Sequence, residues 1–408
     1  MHSVNPRRVV VTGVGCVSAL GQNARQFWAA LSQGICGIGP LTKVPVQQLG
    51  IRVAAEVRNF FGDRHFNPRQ LIQLDPFAQY ALVSAAEAIE HSGIDFSAEN
   101  TRQTAIVLGS GVGGDTTINH CAKIIYGEKK PNLHPLSVPR TMLNSAVSQI
   151  AIHHGITGPA FAVSSACASA THAIGQAFWM VRHGMADAAV TGGSEACLTL
   201  GSIRAWESLR VMAPDTCRPF SRDRKGMVLG EGAGVLILET RKSARKRGAT
   251  ILAEILGFGM SADARDIVRP SGDGAVMAIE QCLADAHLPA DAIDYVNAHG
   301  SGTPANDVME TRALHRVFGA HSRKLAISST KSMHGHALGA GGALELISTV
   351  LALNKGVIPP TANFTEPDPD CDLDYIPNQT REQPIQAAIS NSFAFGGLNA
   401  VLALKKAD

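Results

Sequence analysis

The sequence has no long apolar run, no clustered cysteines and almost no net charge, and each absence excludes a class of protein. No uninterrupted apolar stretch approaches the roughly 18 residues that a membrane-spanning helix requires. The formal net charge over 408 residues is +2, and aromatic residues make up 5%. Proteins that bind nucleic acid usually carry concentrated positive charge or aromatic stacking platforms. We therefore expect neither a membrane span nor a nucleic-acid partner.

The spacing of the cysteines argues against a metal site. The eight cysteines include no C-x-x-C pair and no grouping of the kind that binds zinc. We therefore predict no metal ion and expect reduced thiols in a cytoplasmic protein, most of them buried as small hydrophobic residues. The cysteines are Cys16, Cys36, Cys121, Cys167, Cys197, Cys217, Cys282 and Cys371.

The first 20 residues superficially resemble a secretory signal, because Arg7 and Arg8 precede a mostly apolar stretch, residues 9–20. Gly13 and Gly15 would break the apolar helix of such a signal. The segment therefore predicts a first β-strand over residues 9–12 that turns at these two glycines.

The rest of the chain has the pattern of a large α/β enzyme. Hydrophobic residues make up 45% and charged residues 17%, which suits a well-buried globular protein. Short β-branched runs alternate with longer helical patterns, as in α/β folds with crossover connections. The predicted strands cover residues 104–108, 161–165, 188–191, 251–256, 293–297, 325–329, 385–390 and 400–405. The predicted helices cover residues 166–183, 273–287, 305–318 and 338–353.

The two halves of the chain share loosely similar glycine patterns. The glycine pattern of residues 12–15 recurs at 256–259, and that of residues 108–111 recurs at 299–302. Glycine matches arise easily in a chain with 40 glycines, so this supports duplication only weakly. We place the boundary after a basic stretch, which gives a half of residues 1–249 and a half of residues 250–408.

Three segments bring chemistry-bearing residues to the ends of predicted strands. Cys167 follows the strand at residues 161–165 and would lie one residue inside the next helix. There the positive end of the helix dipole would favour the nucleophilic thiolate. From position alone, a buried structural cysteine fits equally well.

The other two segments supply bases and a cation. His299 follows the strand at residues 293–297 in a glycine-rich loop, where α/β enzymes hold catalytic groups. Lys331, His334 and His336 lie between a later strand and a helix. Together the three segments supply a nucleophile, two bases and a cation. This combination favours acyl transfer through a cysteine over the interpretation that all three segments are only structural.

Three other motifs are set aside. Residues 109–114 fit G-x-G-x-x-G, but Asp115 follows at once and no helix pattern opens cleanly, so a dinucleotide site is disfavoured. Residues 328–331 fit S-x-x-K without the companion motifs of β-lactamases. His153 and His154 lie in a helical pattern and are interpreted as structural or surface residues.

Taken together, these motifs resemble the β-ketoacyl-acyl-carrier-protein synthases, the elongating type II condensing enzymes of the thiolase superfamily. The resemblance spans nearly the whole chain, and residues 367–374 are similar to the nodulation-type branch. Its markers are residues 165–169 (SACAS), 218–220 (RPF), 229–234 (LGEGAG), 297–300 (NAHG), 331–336 (KSMHGH) and 395–397 (FGG).

The resemblance implies a fold and a reaction. The fold would be a five-layered α-β-α-β-α arrangement of two similar halves, working as a homodimer in the cytoplasm without a cofactor. Cys167 would accept an acyl chain from an acyl carrier protein. His299 and His336 would assist loss of CO₂ from malonyl-carrier protein, and the chain would grow by two carbons in fatty acid biosynthesis.

The resemblance also implies roles for further residues. Lys331 would order the site by pairing with Glu345, with a surface ion pair as the alternative. The backbone amides of Cys167 and Phe395 would form the oxyanion hole. Residues that would bind substrate are Ser301 and Thr303 at the pantetheine arm, Phe395 as a gate, and Val112 and Trp206 as walls of the acyl pocket.

The sequence also departs from the family pattern. Ala394 stands where glycine is usual beside the gate, Leu398 replaces a hydroxyl, and His334 stands where threonine is more usual. Glycine freedom at the gate would be lost, and His334 would crowd or polarise the site. Gate mobility and chain-length preference therefore do not follow from the family.

Three other functions compete with chain elongation. A non-condensing partner subunit, like the chain-length factors of polyketide systems, would lack the nucleophile that Cys167 supplies. A dedicated condensing enzyme for an unusual acyl chain of a signal lipid or polyketide fits the same motifs. A biosynthetic thiolase acting on coenzyme A esters is the third alternative. The basic residues Arg64, Arg69, Lys129 and Lys130 would suit an acidic carrier protein, and a solvated surface explains them equally well.

Overall fold

One ten-stranded sheet forms the centre of the computed structural model, which describes residues 6–96 and 98–407. Its strands, in chain order, are β1 (Val9–Ser18), β2 (Thr104–Gly109), β3 (Ala160–Val163), β4 (Ala188–Glu195), β5 (Gly232–Thr240), β6 (Ala253–Ala262), β7 (Tyr295–Asn297), β8 (Ala326–Ser328), β9 (Ala387–Ala394) and β10 (Leu398–Lys406).

The strand order repeats between the two halves of the chain. The first five strands lie in the order β1-β5-β4-β2-β3, and the last five lie in the equivalent order β6-β10-β9-β7-β8. In each half the second strand is parallel to its two neighbours, and the first strand is antiparallel to the fifth. β1 and β6 pair antiparallel and join the halves. The prediction of two similar halves is confirmed, while the boundary between residues 249 and 250 stays a prediction.

Six helices cover the two halves of the sheet and separate them. They are α1 (Pro76–Ser92), α2 (Ser145–His154), α3 (Ser169–Arg182), α4 (Gly272–Ala286), α5 (Pro304–Phe318) and α6 (Gly341–Lys355). α1 and α2 pack on the first half, and α4 and α5 on the second. α3 and α6 pack on each other and on strands of both halves. The helix and sheet layers therefore alternate as α-β-α-β-α, which confirms the predicted fold class.

Shorter elements connect these layers. The shorter helices are Ala24–Leu31, Pro68–Leu71, Ala98–Thr101, Asp115–Ala122, Ser137–Thr141, Leu200–Ser208, Arg241–Lys246 and Lys331–His334. Two-residue strands pair Gly39–Pro40 with Val53–Ala54 and Val357–Ile358 with Arg381–Glu382. Within the described part of the chain, no helix has the length and apolarity that crossing a membrane requires.

The apolar side chains form three main clusters that match the layers. One lies between the two halves around α3 and α6, and it includes Phe178 and Leu346. A second packs α4 and α5 on the second half, and a third packs α1 and α2 on the first. Burial on both faces explains why residues 105–109 of β2 and 232–238 of β5 are uninterrupted apolar runs, since neither face meets water there.

The glycines of β1 do not turn the chain, and the prediction that the strand ends at Gly13 is wrong. β1 continues to Ser18 because α1 crosses it at very short range. A Cβ atom on Gly13 would lie 2.1 Å from the carbonyl oxygen of Ala88, and one on Gly15 would lie 2.2 Å from that of Ser84. These glycines are needed for close helix–strand contact and not for backbone freedom.

Substituting Gly13 tests this contact. We expect Gly13→Ala to lower the free energy of unfolding by about 1–3 kcal/mol or more, because the new methyl group overpacks rigid backbone. Gly127→Ala is the matched control, since its Cβ would meet only a Lys123 side-chain carbon at 3.8 Å. Urea unfolding of both variants measures the difference. Equal stability of the two would contradict the packing account.

Candidate active site

Cys167, His299 and His336 line one cavity where the two halves meet, although they are far apart in the sequence. The cavity has a volume of about 130 Å³. Cys167 follows β3 and His299 follows β7, so both lie beyond the carboxyl ends of parallel strands. The structure thus brings together the nucleophile candidate and both histidines that the sequence singled out.

Cys167 lies in a tight turn before α3 and not inside that helix as predicted. α3 begins at Ser169, and Ala166 takes a left-handed backbone conformation with φ of 50°. The Ser169 hydroxyl stabilises the turn, since it accepts from the Ser165 N–H at 2.9 Å and donates to the Ala166 carbonyl at 2.6 Å. The turn presents Cys167 to the cavity.

Burial, and not the helix end, dominates the ionisation of Cys167. Burial raises the pKa of its thiol to about 11, although Lys331 and a hydrogen bond from the Phe395 backbone N–H oppose the shift. The prediction that the position of Cys167 favours the thiolate is therefore wrong for the resting protein, because the desolvation cost exceeds the opposing contributions of Lys331 and the Phe395 N–H. The thiol is protonated at neutral pH.

Lys331 fixes the orientation of His299. Its ammonium group is buried, pairs with the Glu345 carboxylate, and donates to the His299 carbonyl oxygen at 2.6 Å. It also lies 3.3 Å from the Nδ1 atom of His299. Because an ammonium group only donates, Nδ1 must accept and the imidazole proton lies on Nε2. The predicted Lys331–Glu345 contact is therefore a buried pair.

His336 has the same tautomer for a different reason. The backbone N–H of Leu338 donates to its Nδ1 atom at 3.3 Å, which leaves the proton on Nε2. The two imidazole rings lie 5.4 Å apart between centroids and are nearly perpendicular, at 82°. Burial, and then the charge of Lys331, hold both pKa values well below 6.5. Both rings are therefore neutral N–H donors at neutral pH.

The sequence analysis missed Glu310, which positions the His299 loop. The carboxylate of this α5 residue accepts from the backbone N–H groups of His299 and Gly300 at 2.9 and 2.8 Å, and from the Asn391 amide at 3.1 Å. Burial raises its pKa to about 7. Asp307 and Glu310, two acidic residues spaced three apart on the buried face of this helix, were an available signal.

A second buried carboxylate, Glu195 at the end of β4, was also missed. It accepts from the Gly111 N–H at 2.7 Å and from the Gly339 N–H at 3.0 Å. Gly111 follows β2 in the first half, and Gly339 follows His336 in the second. Glu195 therefore joins the two halves beside the cavity.

The predicted substrate residues lie in different places. Ser301 and Thr303 line the cavity, and their hydroxyl oxygens are 2.9 Å apart. Trp206 and Phe395 also line it, with stacked rings 5.6 Å apart between centroids. Val112 does not line this cavity; its side chain is exposed, and its N–H donates to Glu195 at 3.2 Å.

The departures from the family pattern leave the site intact. Ala394 pairs with Leu398 at the end of β9, and Gly396 and Gly397 supply the positive φ angles of the turn, 82° and 68°. The alanine therefore costs no backbone freedom here. His334 is buried outside the cavity, where its Nε2 atom contacts the Thr330 hydroxyl at 2.9 Å, so it does not crowd the site.

Comparison with known proteins is consistent with this geometry. The beta-ketoacyl synthase N-terminal domain matches residues 6–244, and the C-terminal domain matches residues 252–365. Nodulation protein E of Rhizobium leguminosarum bv. trifolii is 47% identical over 98% of this chain and 99% of its own. 3-oxoacyl-[acyl-carrier-protein] synthase 2 of Coxiella burnetii is 40% identical over 98% of this chain and 99% of its own.

A solved structure, the ishigamide ketosynthase/chain length factor, superposes with a TM-score of 0.94. It is 35% identical and covers 99% of this chain and 100% of its own. The resemblance inferred from the motifs is therefore confirmed over the whole chain. The chain belongs to the beta-ketoacyl synthase family.

Proposed function

We propose that this chain condenses a Cys167-bound acyl chain with a malonyl unit carried by an acyl carrier protein, releasing CO₂ and extending the chain by two carbons. One observation carries the proposal: a cysteine and two neutral imidazoles with free Nε2–H groups share one cavity. These are the groups that an acyl transferase needs to hold an acyl chain and to stabilise an enolate. Membership of the beta-ketoacyl synthase family supports the same class of reaction.

In the first step the Cys167 sulfur attacks the carrier thioester. A tetrahedral oxyanion forms, and the backbone amides of Cys167 and Phe395 are its proposed donors. The Phe395 N–H opposes the rise in the pKa of the Cys167 thiol, which supports this placement. The acyl group moves to Cys167, and the thiol proton ends on the departing pantetheine sulfur.

In the second step the malonyl thioester loses CO₂. His299 and His336 donate their Nε2–H groups to the thioester carbonyl oxygen, which becomes the enolate oxygen. The enolate carbon attacks the acyl-cysteine carbonyl, and the carbon–sulfur bond to Cys167 breaks. Because burial raises the pKa of Cys167 to about 11, the leaving thiolate readily takes up a proton from solvent water, which restores the thiol. Lys331, paired with Glu345, acts by holding His299 in place.

We also propose which residues contact the substrate, and in which assembly and compartment the protein acts. Ser301 and Thr303 would hydrogen-bond the pantetheine arm, while Trp206 and Phe395 would border the acyl chain. The protein would act as a cytoplasmic homodimer without a cofactor or metal. The eight free cysteines support the cytoplasmic assignment.

A second candidate is a dedicated condensing enzyme for a specialised acyl chain of a signal lipid or polyketide. The higher identity to Nodulation protein E, 47% against 40%, favours it. Mass spectrometry of products across acyl-donor lengths separates the two. Equal use of many saturated lengths supports general fatty acid synthesis, and one narrow product class supports the specialised role.

Removing the thiol tests the nucleophile. We expect Cys167→Ala to abolish both self-acylation by acyl-carrier protein and CO₂-coupled condensation. Among the described residues that line the cavity, Cys167 is the one thiol, and the other sulfur belongs to the thioether of Met227. Cys36→Ala is the matched control, since that half-buried thiol lies outside the cavity. Acylation of the Cys167→Ala protein, detected by intact-protein mass spectrometry, would refute the assignment.

Removing one imidazole donor tests the second step separately. We expect His336→Ala to lower condensation by about 100–1,000-fold, the scale for loss of one preorganised donor, while self-acylation persists. His336→Gln keeps an N–H donor and should recover part of the rate. Single-turnover assays of the two steps make the comparison, and equal loss in both steps would contradict the division of roles.

The ionisation of Cys167 predicts a pH dependence. Because the pKa of the thiol is raised to about 11, the thiolate fraction is small at neutral pH. The rate of iodoacetamide labelling at Cys167 should therefore rise about tenfold per pH unit from pH 7 to about pH 10. Labelling is followed by mass spectrometry against Cys167→Ala. A plateau below pH 9 would show that burial does not dominate.

A further inference from the structure

Arg269 is the one permanently charged side chain among the described residues that line the cavity. The other lining groups are apolar, hydroxyl or amide side chains, one thiol, and two histidines that are neutral at ordinary pH. Arg269 belongs to the loop between β6 and α4, and its side chain is largely exposed. Arg269 therefore lies where solvent reaches the cavity, whereas Cys167 is buried.

The loop that carries Arg269 has a defined conformation. The backbone N–H of Arg269 donates to the Asp266 carboxylate at 2.8 Å. The carbonyl oxygen of Ile267 accepts from the Gly396 N–H at 2.8 Å, which ties the loop to the turn that bears Phe395. The guanidinium group is thus attached to backbone that is fixed relative to the cavity.

The Arg269 guanidinium forms no ion pair with any residue in the described ranges. By contrast, the neighbouring Arg265 pairs with Asp273 at 3.3 Å. The nearest acid in the sequence, Asp266, accepts from the Val268 and Arg269 backbone N–H groups, both at 2.8 Å. Arg269 therefore offers a forked set of donors at the cavity wall and has no ion-pair partner among the described residues. Its charge acts on Asp266 only as a minor contribution to the lowered pKa of that carboxyl, after the backbone hydrogen bonds.

We propose that Arg269 binds the phosphodiester of the phosphopantetheine arm and forms a phosphate subsite at the cavity mouth. This rests on the proposed function, in which acyl and malonyl groups arrive on that arm. With the thioester at Cys167 and the arm passing Ser301 and Thr303, the phosphate at the far end of the arm would lie towards solvent, and Arg269 is the exposed cation among the residues that line the cavity. Guanidinium groups match phosphate oxygens through paired, charge-assisted hydrogen bonds.

Two other anions would explain the same cation: the malonyl carboxylate and an acidic side chain of the carrier protein. The carboxylate is disfavoured because it must lie beside the histidines at the buried end of the cavity. An acidic side chain would make Arg269 matter only when an intact carrier protein delivers the substrate. Small thioester substrates therefore separate these possibilities from a phosphate subsite.

The test compares two malonyl thioesters, malonyl-phosphopantetheine and malonyl-pantetheine, which differ only in the phosphate. Condensation with pre-acylated protein is measured for the wild type, Arg269→Gln, Arg269→Lys and the control Arg265→Gln. We expect the wild type and the control to prefer the phosphorylated substrate by about tenfold in kcat/KM, mainly through KM. Arg269→Gln should lose this preference without change toward malonyl-pantetheine, and Arg269→Lys should keep part of it.

Several outcomes would overturn the subsite. The wild type would show no preference for the phosphate, or Arg269→Gln would lose activity equally toward both thioesters. An effect of Arg269→Gln seen only with intact malonyl-carrier protein would assign the cation to an acidic carrier side chain instead. Failure of the wild type to condense any of these substrates would refute the proposed function itself, which distinguishes that result from loss of the subsite alone.

Discussion

The buried ammonium group of Lys331 is the interaction on which the rest of the site depends. An unpaired charge in the interior would cost several kcal/mol, so Lys331 requires Glu345 and the His299 carbonyl as partners. The same charge opposes protonation of both histidines and counteracts part of the burial effect on Cys167. This cation thereby adds to burial in keeping the two imidazoles neutral, and it orients one of them. Removing it would disturb all three groups at once.

Two buried carboxylates hold the backbone of the loops around the site. Glu310 holds the amide groups at His299, and Glu195 joins the β2 loop of the first half to the turn after His336 in the second. Neither contacts the cavity as a lining residue. They act as positioning residues, because they fix the loops on which the reacting groups lie. This preorganisation allows the N–H donors to stabilise a developing enolate.

The sequence predicted the site residues well because strand ends and glycine loops are local patterns. Cys167, His299, Lys331 and His336 were all found in this way, and the layered fold followed from the family resemblance. Glu195 and Glu310 were missed because their role depends on contacts with distant backbone amides, and no local sequence pattern indicates such contacts. Gly13 was misinterpreted for the same reason: glycine freedom is local, but the approach of α1 that requires it is tertiary. The ionisation of Cys167 likewise depends on burial, which the helix-end argument ignored.

The central claim is that both imidazoles are neutral and carry their proton on Nε2, facing the substrate. Neutron diffraction from deuterium-exchanged crystals at about pH 6 tests it most directly. The account predicts density for deuterium on Nε2 of both His299 and His336, and none on either Nδ1 atom, which contact Lys331 and the Leu338 N–H. Deuterium on both nitrogens of either ring, or on Nδ1 alone, would contradict it.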